Sequence, residues 1–390
     1  MPRTPMQPSL RRAQSLAADA REAVREFHAG VVQPDMALVL FFCSSDYDLD
    51  AMADEMRQRF AGVTVVGCTT AGEIGPAGYC DRSLSGVSFG SSQFRAVSGR
   101  IGHLQQFRIG AGQSFTLQLM QRLAEKAPHT MMDSSFALLL IDGLSIREEP
   151  VSRTMQSTLG KIPLVGGSAG DGANFRCTRV FAEGRFHEDS AVLTLVTTTL
   201  PFRLLQTHNF TPTDERLVVT AADPSRRLVR EINGRPAAGE YARAIGVEEH
   251  DLNLSHFACW SMVVLINGMT HVRSIQQANP DGSLVFFCAI ETGLVLRVAK
   301  AHDLLGNLER TLQQIEDQIG VPQLVVGADC VHRKLEAEWH NEKEQVAALL
   351  GRYNTTGFAT YGEQFRGIHV NQTFVGIAIG RSRTESKEGA

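Results

Sequence analysis

The chain has 390 residues, 43% of them hydrophobic and 21% charged, with a formal net charge of -4. That length exceeds one ordinary core and supports two domains, while the composition excludes disorder and any general electrostatic attraction to nucleic acid. No apolar run approaches the roughly 20 residues of a membrane helix. The N-terminal MPRTPMQPSLRRAQS also lacks the apolar stretch of a signal peptide, so the expected address is the cytoplasm, without membrane insertion.

Residues 8–28 predict an amphipathic helix with Leu16, Ala20, Val24 and Phe27 on one side. ALVLFFC then reads as a strand and DLDAMADEMRQRF as a helix through Leu49, Met52, Met56 and Phe60. VTVVGCTTAGE reads as a strand running into a glycine turn, and SLSGVSFG as a further strand. The same order returns in FALLLIDG, a helical face of Val151, Met155 and Leu159, then IPLVGGSAGD and SAVLTLVTT. Between residues 203 and 300 the pattern turns largely β, in RLVVTAA, MVVLING, HVRSI and SLVFFCAI, with the turn signals NG and NPDG. DLLGNLERTLQQIEDQIG predicts an amphipathic helix closing at Gly320, with Pro322 beyond it. A third copy of the order follows in QLVVGADC, a helix with Leu335, Trp339, Val346, Leu349 and Leu350, then TTGFATYGE and QTFVGIAIG.

The expected fold class is α/β (mixed α+β), with two domains built from repeated strand, helix, strand, glycine-turn and strand units. Residues 1–34 form the N-terminal helix, 35–230 the first domain, 231–380 the second and 381–390 a solvated tail. DPSRR and NGRPAAGEYARA mark the boundary, near residues 220–240.

Gly67 to Gly72-Glu73 and Gly357 to Gly362-Glu363 have identical spacing, and Gly166 to Gly170-Asp171 is one residue shorter. The repetition favours architecture, a sharp bend beside each strand end with a carboxylate after it. Strand ends are also where α/β sheets place ligands, so these loops are expected to form a pocket rim as well. Neither G-x-x-x-x-G-K-[ST] nor a strand-to-helix G-x-G-x-x-G is present, which leaves nucleotide binding without a motif. The seven cysteines contain no C-x-x-C pair, so no zinc ribbon or covalent haem attachment is indicated and the thiols are expected to be reduced. Cys68 is the candidate nucleophile for an enzyme reading, with backbone N–H groups of the turn as an oxyanion hole. Against that, Gly167 and Phe358 hold the corresponding places in the other copies.

VVGCTTAGEI, PLVGGSAGDG, EINGRPAAGEY, GFATYGE and HVNQTFVGIAIG, in that order, resemble the FIST family of bacterial signal-transduction sensors, over roughly residues 35–380. LVLFFCSSDYDLD and GCTTAGEIGPAGY look more specifically like its NosP subfamily of haem-containing nitric oxide sensors. The resemblance implies a non-enzymatic cytosolic sensor that binds haem b without a covalent bond and takes nitric oxide. Its partner would be a histidine kinase or a cyclic-di-GMP enzyme (diguanylate cyclase or phosphodiesterase); a homo-oligomer is compatible with the sequence, which leaves the oligomeric state open. Haem needs one axial ligand and a free distal side. His271 in INGMTHVRSI is the first choice for that ligand, His256 in NLSHFACWS the second, and Arg273 a partner for a propionate. His369 and Asn371 of HVNQT belong to the broader family pattern. With Cys68, Gly72, Glu73, Gly167 and Glu363 they would line a ligand pocket, the alternative being a haem-free module for an amino acid or other small metabolite.

Overall fold

The computed structural model describes residues 9–128, 132–266 and 269–381. Three units with one order of elements follow each other. The first is β1 (Leu10–Ser15), α1 (Ala20–Val31), β2 (Met36–Ser44), α2 (Leu49–Arg59), β3 (Val65–Thr70), the hairpin β4 (Glu73–Gly75) and β5 (Gly78–Cys80), and β6 (Leu84–Gly90). The second is β7 (Phe94–Gly102), α3 (Ile109–Lys126), β8 (Ser135–Ile141), α4 (Glu148–Leu159), β9 (Leu164–Ser168), the hairpin β10 (Val180–Ala182) and β11 (Arg185–His187), and β12 (Ser190–Thr198). The third opens with β13 (Phe202–Gln206) and is then interrupted by an insertion. That insertion runs through β14 (Phe210–Asp223), β15 (Leu228–Ile232), β16 (Arg235–Pro236), α5 (Ala237–Ile245), α6 (Leu254–Cys259), β17 (Trp260–Ile266), β18 (Met269–Arg273), β19 (Ile275–Ala278), β20 (Leu284–Phe286) and β21 (Val295–Ala301). The third unit resumes with α7 (Leu304–Ile319), β22 (Leu324–Cys330), α8 (Val331–Trp339), α9 (Lys343–Arg352), β23 (Thr355–Thr360), the hairpin β24 (Glu363–Phe365) and β25 (Ile368–Val370), and β26 (Phe374–Ile379).

Each unit builds one sheet around a parallel pair, β2/β3, β8/β9 or β22/β23. None completes its sheet alone. The hairpin of the first unit pairs with β23, that of the second with β3, and that of the third with β9, a cyclic exchange that ties all three together. The inner faces of the sheets share one apolar core, in which Leu140, Val192 and Val375 are buried and Phe42 stacks on Phe358 at 4.4 Å. The outer faces are covered by each unit's own helices, as strands buried on both sides require. The insertion forms a separate eight-stranded sheet around Tyr241, Phe257, Met262 and Val298. Residue 230, where the sequence reading divides the chain, lies within β15 of this inserted sheet.

Three details differ from the sequence pattern. The single helix expected over 8–28 is a strand, β1, followed by α1, because Asp19 caps the helix by accepting from the Glu22 N–H. As an edge strand paired with β6, LRRAQS needs no apolar alternation. The helix expected after QLVVGADC is two helices, α8 and α9, separated where Asn341 takes a left-handed φ of 57°. Finally, Gly67, Gly166 and Gly357 are not turn residues but lie inside β3, β9 and β23. There a Cβ would stand 2.5, 1.9 and 2.0 Å from the carbonyl oxygens of Phe41, Leu139 and Gly327, so the three positions serve close approach of the parallel strands.

Candidate functional site

The carboxylates that follow the glycines cap their own loops. Glu73 accepts from the Ser83 N–H at 2.9 Å and its hydroxyl at 2.8 Å, and contacts the Thr70 hydroxyl. Glu363 repeats this with the N–H of Thr373 at 3.0 Å and its hydroxyl at 2.8 Å. Asp171 accepts from the N–H groups of Phe175, Arg176 and Cys177 and from the Tyr361 hydroxyl. Burial pushes the Glu73 carboxyl up to about 7, against the lowering effect of its Thr70 and Ser83 contacts, and pushes Glu363 well above the usual carboxylate range. Gly72 is held at φ +139°, with Lys334 Nζ 3.1 Å and Asp81 Oδ1 3.2 Å from where a Cβ would sit. Gly72→Val is therefore expected to lower stability by about 2 kcal/mol through backbone strain, and an unchanged urea midpoint would show that this turn relaxes freely.

Cys68, Gly167 and Phe358, the corresponding residues of the three units, are brought to the central core. A Cβ on Gly167 would lie 2.5 Å from the Phe358 ring, so a small residue in one copy makes room for the large one in another. The Cys68 thiol is fully buried there, and burial raises its pKa well above the ordinary value, with the Glu73 charge adding to the shift. A cleft of about 290 Å³ does lie at the strand ends, walled by Thr70, Gly72, Glu73, Asp171, His332 and Lys334, with Lys334 paired to Asp81.

A larger cavity, about 580 Å³, lies between β18 of the inserted sheet and β25 of the third unit. His208 and His271 line it, together with Phe365, Ile368, Val370 and Asn371. Burial, helped by the Arg273 charge, lowers the His271 pKa below its ordinary 6.5. Burial together with the His271 and Arg333 charges does the same for His208, so the surroundings favour the neutral form of each imidazole. Among the described residues no partner hydrogen-bonds either ring nitrogen of His271. Arg366, its guanidinium 5.8 Å from the Phe365 ring, stands at the rim.

The other candidates are dispersed. His369 is buried, its Nδ1 3.3 Å from Gln364 Nε2 and its Nε2 3.3 Å from the Phe287 carbonyl oxygen, which joins the hairpin to the insertion. His256 lies on α6 with its ring 6.4 Å from Trp339 and does not line the His271 cavity. Arg273 donates from Nη1 to its neighbour's carbonyl, and its Nε is buried without a partner. Sequence reasoning missed His208, which stands in QTHNF without any spacing signal, and Gln372, which stood in plain sight inside HVNQT. Among the described residues no group of three or more His, Cys, Asp or Glu is placed to hold a bare metal ion, and no helix is long and apolar enough to cross a membrane.

The chain is 24% identical over 213 residues to an uncharacterised protein of Methanocaldococcus jannaschii, a match covering 53% of this chain and 40% of that one. It thus spans about two fifths of that relative's length. Among solved structures a cyanuric acid hydrolase from A. caulinodans aligns over 96% of this chain and 99% of its own at 9% identity, with a TM-score of 0.38. The FIST N domain model matches residues 37–235 and the FIST C domain model residues 237–366. The chain therefore belongs to the FIST family, with a FIST N domain followed by a FIST C domain.

Proposed function

We propose that the chain is a signal-transduction sensor that takes its ligand in the cavity between β18 and β25, that the ligand is haem b held through His271, and that nitric oxide is the signal. The carrying observation is an imidazole with no hydrogen-bond partner among the described residues, its neutral form favoured by burial, set on the wall of a cavity of cofactor size with apolar residues around it. Phe365, Ile368 and Val370 suit a porphyrin face, and Arg366 at the rim suits a propionate. When bound, haem would supply an iron centre able to take a diatomic gas. The cavity joins two parts of the fold, since β18 belongs to the insertion and β25 to the third unit. A ligand that binds better at one spacing of these strands shifts the equilibrium between spacings. A histidine kinase or cyclic-di-GMP enzyme would read that shift.

The test is an absorption spectrum of protein expressed with haem supplied, reduced and then exposed to nitric oxide. A Soret band that moves at both steps is expected, with His271→Ala abolishing or displacing it. A featureless spectrum at full haem supply overturns the haem reading, and an unchanged spectrum in His271→Ala overturns the assignment of the ligand.

A further inference from the structure

The inserted sheet sets two like charges against each other. In the β14/β21 ladder Arg216 stands directly opposite Arg297, which places their Cβ atoms about 5 Å apart, and like charges in that position destabilise a sheet. Neither guanidinium has a hydrogen-bond or ion-pair partner among the described residues. Glu215 is taken by Arg243, and Asp214, in the bulge between Pro212 and Arg216, pairs with neither. Leu217 and Leu296, the next pair along the ladder, are fully buried in the core of the insertion, so the arginines stand on the opposite face.

That face is also apolar. Val218 pairs with Val295 two residues beyond the arginines, about 7 Å away, and Leu265 of β17 extends the row, two residues beyond the Val263 that pairs with Arg297. Val218, Val295 and Leu265 are 36%, 51% and 62% exposed. Single exposed apolar residues are ordinary, whereas three on adjacent strands form a patch. Its occupant has to bury apolar side chains on the row and bring carboxylates to the two arginines, which hold such groups through paired N–H donors. The net charge of -4 works against a large anionic surface such as a nucleic acid or an anionic membrane. Two arginines also add little membrane affinity. We infer that this face docks a segment of a protein partner that carries carboxylates beside apolar side chains. Val263 pairs with Val272 of β18, which lines the cavity, so the docking face and the wall of the ligand site share one sheet. The docking itself does not depend on what the cavity holds.

The test uses the full chain and a short fluorescein-labelled peptide of leucine and glutamate, with two counterparts in which lysine replaces glutamate or serine replaces leucine. Titrated by fluorescence anisotropy at low ionic strength, the leucine-glutamate peptide is expected to bind about tenfold more tightly than either counterpart. Added salt should weaken it. Arg216→Gln combined with Arg297→Gln should remove the preference for glutamate over lysine without lowering the melting temperature of the free protein, because the two charges oppose each other. Arg216→Glu combined with Arg297→Glu should transfer the preference to the lysine peptide, which covers the case in which the glutamine variant misfolds. Equal binding of the three peptides, or a preference for glutamate that survives the glutamine variant, overturns the docking face. Phosphatidylglycerol vesicles that bind the wild type but not the glutamine variant, with no peptide bound, would make the face a lipid surface and overturn the protein segment. Neither arginine lines the cavity, so the spectrum of His271→Ala reads the ligand proposal separately.

Discussion

Replacing Arg227 by methionine is expected to lower the unfolding free energy by about 4 kcal/mol, the loss typical when one partner of a buried ion pair is removed. Arg227, 5% exposed in its side chain, reaches from the insertion into the N-terminus of α4. There its Nη2 lies 2.6 Å from Glu148, which is 1% exposed, and 2.5 Å from Glu149. It also donates to the Phe287 carbonyl, and Glu149 accepts from the Ala289 N–H at 2.7 Å. Burial pushes the Glu149 carboxyl up, but His369, Arg227 and that N–H outweigh it and hold it down at about 2. The folded-state pKa lies below the unfolded one, so this group stabilises fully above about pH 4.5 and loses its contribution as pH falls toward 2. Without Arg227 the buried Glu148 and the half-buried Glu149 lose their guanidinium partner, so the substitution should cost far more than a surface ion pair. Urea denaturation measures it. Arg227→Met combined with Glu148→Gln and Glu149→Gln should recover most of the loss. A single variant within about 1 kcal/mol of wild type would mean that the insertion is docked by other contacts.

Replacing Glu73 by glutamine is expected to leave stability near pH 5 almost unchanged and to raise it by about 3 kcal/mol at pH 8.5. The unfolded carboxyl ionises near its ordinary 4.5, whereas the buried one holds its proton to about 7. Between those values the native state binds more protons than the unfolded chain, so rising pH removes stability until the folded group has ionised. Glu73 is 0% exposed, and little solvent screening reduces the effect. Glutamine keeps the acceptor for Ser83 and replaces the acid proton with an amide N–H toward Thr70, whose hydroxyl passes on to the Cys43 carbonyl at 3.3 Å. Other groups titrate in the same range. Glu336, also raised to about 7 by burial, acts in the same direction, and His332, lowered to about 3 by burial, acts in the opposite one. The difference between variant and wild type isolates Glu73, and parallel melting curves at pH 5 and 8.5 for both proteins would refute the account.

Much of the local structure was legible. The helices α2, α4 and α7 stand where apolar residues recur at helical spacing, and α7 ends at Gly320 as its sequence requires. The helix α3 gave no such signal, because it buries little beyond Gly112, Thr116, Leu119 and Leu123 while Ile109 and Leu117 stay exposed. The candidate site was legible only in part. His271 and Asn371 line one cavity, but Cys68, Glu73 and His256 stand elsewhere, since one axial ligand leaves no spacing rule.

By itself, then, the sequence determined the threefold recurrence of units, the carboxylates that follow the bends and the family to which the order of motifs belongs. These depend on periodicity and turn chemistry acting over a few residues. The tertiary structure alone decided which hairpin completes which sheet, that Cys68, Gly167 and Phe358 fill one core, and that β18 and β25 enclose a cavity. Each of these depends on burial between segments far apart in the chain. A three-residue strand such as β4 or β24 carries too little pattern to name its partner, and the partner is chosen by the faces that close around it.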